Sequence, residues 1–74
     1  MTDQTYNGWA NYETWNVALY IQNEYDLYMQ ARRCDDYLEL FDRMTGHGAK
    51  TPDGVSWADP ELDLEELNEM IQEL

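Results

Sequence analysis

Glu61, Glu65, Glu69 and Glu73 recur at four-residue intervals near the end of this 74-residue chain. On a helix they form one row with about 6 Å of rise between neighbours. From Asp59 to Leu74 there are seven carboxylates and no base. Like charges at this spacing oppose their own helix by a few tenths of a kcal/mol per pair. A row of that kind suits docking on a basic surface. It also imitates a phosphate backbone coarsely, since phosphates repeat every ~3.4 Å per strand and every second one would be skipped. The plainer reading is a solvated face opposite the apolar stripe Leu64, Leu67, Ile71 and Leu74. The candidate partner-binding set is Glu61, Glu65, Glu66, Glu69 and Glu73; the stripe Leu64, Leu67, Ile71 and Leu74 is the alternative interface.

Other residues capable of chemistry lack the company that chemistry needs. Ser56 sits in Val-Ser-Trp without the flanking glycines of a nucleophile elbow. His47 lies between Gly46 and Gly48 with no acid or nucleophile indicated for it. One His and one Cys fall short of the four N/S ligands of a structural zinc site. Asp59-x-Glu61-x-Asp63 faintly suggests a calcium loop, but Leu64 stands where that loop turns on Gly, and Pro60 stiffens the segment. A second acid group, Asp35, Asp36, Glu39 and Asp42, is interleaved with Arg32, Arg33 and Arg43, so pairs such as Glu39 with Arg43 make it helix surface. The expectation is a binding protein without enzymatic activity, cofactor or metal.

Composition narrows the partner. Sixteen acids against four bases leave a net charge of −12. Nucleic acid and anionic lipid repel such a chain, whereas a basic protein surface attracts it. Three Trp, six Tyr and one Phe are present, eight of them between Tyr6 and Tyr37. Bases stack on aromatics in single-strand binders, but such rings are surrounded by Lys and Arg, and residues 1–31 contain neither. The stripe Trp9, Tyr12, Trp15, Tyr20, Tyr25 and Tyr28 is therefore expected to build the core. A chain this short needs large side chains for that purpose, because a core below roughly 70–80 residues seldom supplies more than about 3–5 kcal/mol unaided. Cys34 is the lone cysteine, which suits a reducing compartment. Met1-Thr2-Asp3-Gln4 lacks a signal-peptide pattern, no segment reaches the length of a membrane span, and the cytoplasm is the expected address.

The positioning elements follow from local signals. The chain reads as a single domain: an N-terminal tail at 1–10, a helical region at 11–45, a loop at 46–58 and an acidic amphipathic helix at 59–74. Asn7-Gly8 marks a turn. Asn11 can cap a first helix carrying Ala18, Ile21, Tyr25 and Tyr28 on one face, either unbroken to 34 or kinked near Asn23. Asp35 or Asp36 caps the next, with Tyr37, Leu38, Phe41 and Met44 inward and Gly46 at its end. Thr51-Pro52-Asp53-Gly54 reads as a β-turn. Asp59-Pro60 or Asp63-Leu64 starts the last helix, Asp63 with Glu66 matching a cap-plus-acid spacing. The predicted fold class is all-α, a small bundle of three or four helices with an aromatic-rich core.

Asn7-Gly8-Trp9-x-Asn11-Tyr12-Glu13-Thr14-Trp15-Asn16-Val17-Ala18-Leu19 resembles a group of small uncharacterised proteins of bacteriophages and some prokaryotes. Asp53-Gly54-Val55-x-Trp57-x-Asp59-Pro60-x-Leu62-Asp63 is similar to the second half of the same pattern. The resemblance covers about a third of the chain and implies a phage or mobile-element setting, with no activity to carry over. In that setting small acidic proteins often bind and disable host factors, and the resemblance implies the same here. The expected function is accordingly an acidic protein-binding module that inhibits or modulates a host protein by docking on a basic, nucleic-acid-binding type of surface. The alternative is a self-associating scaffold, a homodimer paired through the leucine face.

Overall fold

The computed structural model describes residues 6–44 and 48–74. Among them lie α1 (Tyr12–Asn23), α2 (Tyr25–Ala31), α3 (Tyr37–Arg43) and α4 (Leu64–Gln72), with isolated β-bridges and no strand. The fold is the small all-α bundle expected. Three polar side chains set the helix starts. Asn11 is extended and its side-chain oxygen accepts from the Thr14 N–H at 2.8 Å. Asp36 and Asp63 do the same for Glu39 and Glu66, at 2.9 and 3.1 Å. Asp36 and not Asp35 is thus the cap of α3, and Asp63 and not Asp59 that of α4.

The long-helix alternative for 12–34 gives way to two helices. Glu24 leaves helical geometry, with ψ at 115°, and ends α1 as it begins α2. The reason lies in the phase of the apolar residues. Ile21 and Leu27 are both buried, yet six residues correspond to about 240° around a straight helix. A break re-aims α2 so that both can face inward. Asn23 supplies no cap; the Glu24 backbone N–H bonds to the Tyr20 carbonyl.

The helices form a ring of contacts: α1 packs on α2 and α4, and α3 packs on the same two. Val17, Ala18, Ile21, Leu27, Ala31, Tyr37, Leu40, Leu67 and Ile71 fill its centre, closed by Val55 and Trp57 from the loop. The Tyr37 hydroxyl donates to the Trp57 carbonyl at 2.6 Å, tying α3 to that loop.

Several inward faces differ from the expectation. Tyr25 is exposed and Tyr28 half-buried, while Leu27 and Ala31 take the inner positions of α2. On α3, Leu38 and Phe41 are exposed and Leu40 is buried beside Tyr37. Trp15 is half-buried, not a core residue. It packs at the surface with Tyr6 and Tyr12, ring centroids 4.9 and 5.6 Å away. The inner face of α1 is already filled by Thr14, Val17, Ala18 and Ile21, and Trp15 points one step around the helix from it. The segment expected to be helical from 59 begins its helix at Leu64, residues 59–63 forming turns closed by the Leu62 N–H on the Asp59 carbonyl at 3.1 Å. The readings of Gly46 as a helix stop and of His47 lie outside the described residues.

Candidate functional site

Asn7 and Gly8 adopt positive φ, 51° and 90°, between Tyr6 and Trp9. Tyr6 and Trp9 exchange both backbone hydrogen bonds, at 2.7 and 2.8 Å. This is the two-residue turn that Asn-Gly favours, because Asn tolerates and Gly freely adopts left-handed φ. The turn is pinned to α4, since the Ala10 N–H donates to Glu66 Oε1 at 2.7 Å. Trp9 thereby comes to lie against the acidic helix. Gly8, Trp9, Gln22, Glu66, Glu69, Met70 and Glu73 line an open cleft of about 370 Å³.

The cleft is lined by an aromatic side chain and three glutamates, with no base among its lining residues. Such a site suits a cation. A guanidinium or ammonium gains from a ring face and from carboxylate hydrogen bonds together. Glu69 and Glu73 are exposed, as is Glu65 on the same side of the sequence row. Among the described residues the single ion pair is Arg43 with Glu39, at 3.1 Å, within α3.

The candidate residues separate by role. Glu65, Glu69 and Glu73 remain a surface row on α4 and its C-cap. Glu66 is a structural acceptor for the N-terminal turn as well as part of the cleft wall. Glu61 precedes α4 and does not continue the helical row; its carbonyl accepts from Asn11 Nδ2 at 2.6 Å. The alternative leucine interface is corrected: Leu67 and Ile71 are buried in the chain's own core, and Leu74 packs partly against it, leaving Leu64 as the exposed member.

The remaining polar residues of the two sequence motifs meet each other across the fold. Asn16 is fully buried, its Nδ2 donating to Asp53 at 2.8 Å and its Oδ1 accepting from the Thr51 hydroxyl at 2.7 Å. The Tyr20 hydroxyl joins Asp53 at 3.2 Å. Partial burial, and then the Asp53 bond and charge, hold that phenol above its ordinary range. Thr14 Oγ1 accepts from the Asp63 N–H at 2.9 Å. The Thr51–Gly54 turn is closed by the Gly54 N–H on the Thr51 carbonyl at 2.8 Å, with Gly54 at φ +93°. These contacts assign the motif to fold-building. Asp59 and Asp63 likewise accept backbone N–H groups of Glu61 and Glu66. Cys34 is buried, and burial first, then Glu39, pushes its thiol up, which makes it a poor thiolate.

The acids and the Asn-Gly turn are each legible in the sequence, but their meeting in one cleft is not. The available signal was Tyr6 and Trp9 flanking Asn-Gly, two aromatics at hairpin positions that need a surface to cover. No described helix is long and apolar enough to cross a membrane. No curated protein and no solved structure matches the chain. The chain belongs to a family of unknown function (DUF7249), matched over residues 2–74.

Proposed function

We propose that this protein is a binding module, not an enzyme, which docks on a basic protein surface through the cleft formed by the Asn7-Gly8 turn and α4. The observation that carries this reading is the convergence of Trp9 with Glu69 and Glu73, which offers a partner's arginine a ring to stack on and carboxylates to bind. Net charge adds long-range attraction and repels nucleic acid itself. A basic surface that normally holds nucleic acid is the natural complement, Glu65, Glu69 and Glu73 standing in coarsely for phosphates. The phage-protein resemblance supports an inhibitor or modulator of a host factor, acting in the cytoplasm. Self-association through the leucine face has no support, because its central residues are in the core.

The test is a tagged pull-down from host lysate, followed by affinity measurements on the purified partner. Affinity should fall as salt rises from about 0.05 to 0.5 M. Neutralising Glu65, Glu69 and Glu73 to Gln should weaken it mainly by slowing association. A partner indifferent to both the glutamates and the salt removes the electrostatic reading.

A further inference from the structure

We infer that a second surface, the apolar groove between α3 and residues 57–64, seats a large apolar side chain from a basic amphipathic helix of the partner protein. This rests on the protein-binding reading above and adds to it a docking point away from the acidic cleft. Leu38 is 58% exposed, Phe41 39% and Leu64 38%. With Pro60 and Leu62 they line a groove of about 270 Å³ that reaches down to the buried Tyr37 and Trp57. That volume falls below the roughly 300–1,000 Å³ of small-molecule pockets. A depression of that size has room for a single anchor side chain, the kind of residue that dominates protein interfaces.

The fold explains how these side chains come to be outside. α3 is seven residues long and turns Tyr37 and Leu40 inward, so Leu38 and Phe41, three apart, share its outer face. Trp57 walls both this groove and a neighbouring hollow of about 230 Å³ that includes Phe41, Met44 and Ala49. Its indole nitrogen is buried with no hydrogen-bond partner among the described residues. Buried donors without partners are uncommon in native proteins, and this one sits in the wall that the two hollows share.

Charge decides the occupant. Asp59 lines the groove, and Asp42, Glu61 and Glu65 are exposed next to Phe41, Pro60 and Leu64 in the chain. No base lines the groove, and Arg43 of α3 is paired with Glu39. A second copy of the chain brings another −12 to the same place and is repelled. A helix with an apolar stripe and flanking Lys or Arg satisfies the floor and the rim together.

The experiment compares two labelled peptides of equal positive charge, a Lys/Leu amphipathic helix and a Lys/Ser control, binding to the whole chain. Anisotropy gives affinity, and the Trp57 indole N–H resonance, assigned with Trp9→Phe and Trp15→Phe variants, reports on the groove wall. The Lys/Leu peptide should bind at least about tenfold more tightly than the control and shift the Trp57 signal. Leu38→Ser with Phe41→Ser should remove that advantage while circular dichroism stays unchanged. Equal binding of the two peptides, weakened by Glu69→Gln and Glu73→Gln, overturns the groove and leaves the acidic-cleft reading standing. Loss of binding to both peptides sinks the two readings together. A doubled mass in light scattering, abolished by Leu38→Ser, replaces the basic partner by a second copy and overturns the inference.

Discussion

Asn16 is a polar side chain with no exposed surface, and its amide is satisfied on both sides by Thr51 and Asp53. Replacing it by Ala leaves the buried Thr51 hydroxyl proton without its acceptor, which costs roughly 1–3 kcal/mol. Urea unfolding of Asn16→Ala should show that loss, whereas Asp53→Ala, at an exposed position, should lose less. The two tryptophans with contrasting settings make a second prediction. Trp57→Ala empties the core and should cost roughly 3–5 kcal/mol. That is about all the stability so small a core supplies, so the variant should lose its helical spectrum. Trp15→Ala removes contacts with Tyr6 and Tyr12 at the surface and should cost about 1–2 kcal/mol, keeping the fold. A collapse of the Trp15 variant would mean that the surface cluster is part of the cooperative core.

α4 serves two masters, and its glutamates show which side chain serves which. Glu65, Glu69 and Glu73 stand four apart at the surface, so their conversion to Gln relieves repulsion worth a few tenths of a kcal/mol per pair. Thermal melting of the triple variant should match or exceed the parent. Glu66→Ala should behave differently, because its carboxylate holds the Ala10 N–H. Hydrogen exchange at Ala10 should quicken and the Asn7-Gly8 turn loosen, weakening partner binding although three exposed acids remain. Unchanged exchange at Ala10 would detach the turn from the helix and dissolve the cleft. Asp63 is the cap that lets α4 begin where it does, and its own N–H is held by Thr14. The start of the acidic helix is thus fixed against the first helix of the chain.

The bundle as a whole is tied by Tyr37, whose hydroxyl bridges α3 to the Trp57 carbonyl. Burial pushes this phenol far above its ordinary range. The folded protein therefore holds the proton more tightly than the unfolded chain. Stability from this source is complete below the unfolded value of about 10 and falls as pH rises above it toward the folded value. Chemical denaturation of the parent should weaken steadily above about pH 10. Tyr37→Phe gives up about 1 kcal/mol of hydrogen bonding at neutral pH and should show a flatter alkaline decline. Parallel curves for the two proteins would place the alkaline sensitivity elsewhere, in the self-repulsion of a chain of net charge −12.

What could be read from the sequence was local. Asn11, Asp36 and Asp63 cap helices because a short polar side chain reaches an N–H two or three residues on, whatever the rest of the chain does. Asn7-Gly8 and Thr51–Gly54 turn because their residues tolerate the required dihedrals. The all-α class follows from those boundaries and the apolar spacing between them. Facing was less legible: Trp15 and Trp57 are the same residue type, yet one lies at the surface and the other in the core. The choice depends on which partner surface each element meets. Ala10 and Glu66 are fifty-six positions apart, and nothing within either segment signals the other. The helix ring α1–α2–α3–α4 brings them together because burying Leu67 and Ile71 against α1 turns the glutamates of α4 outward beside Trp9. Only the packed fold could turn an acidic stripe and an aromatic turn into a cleft.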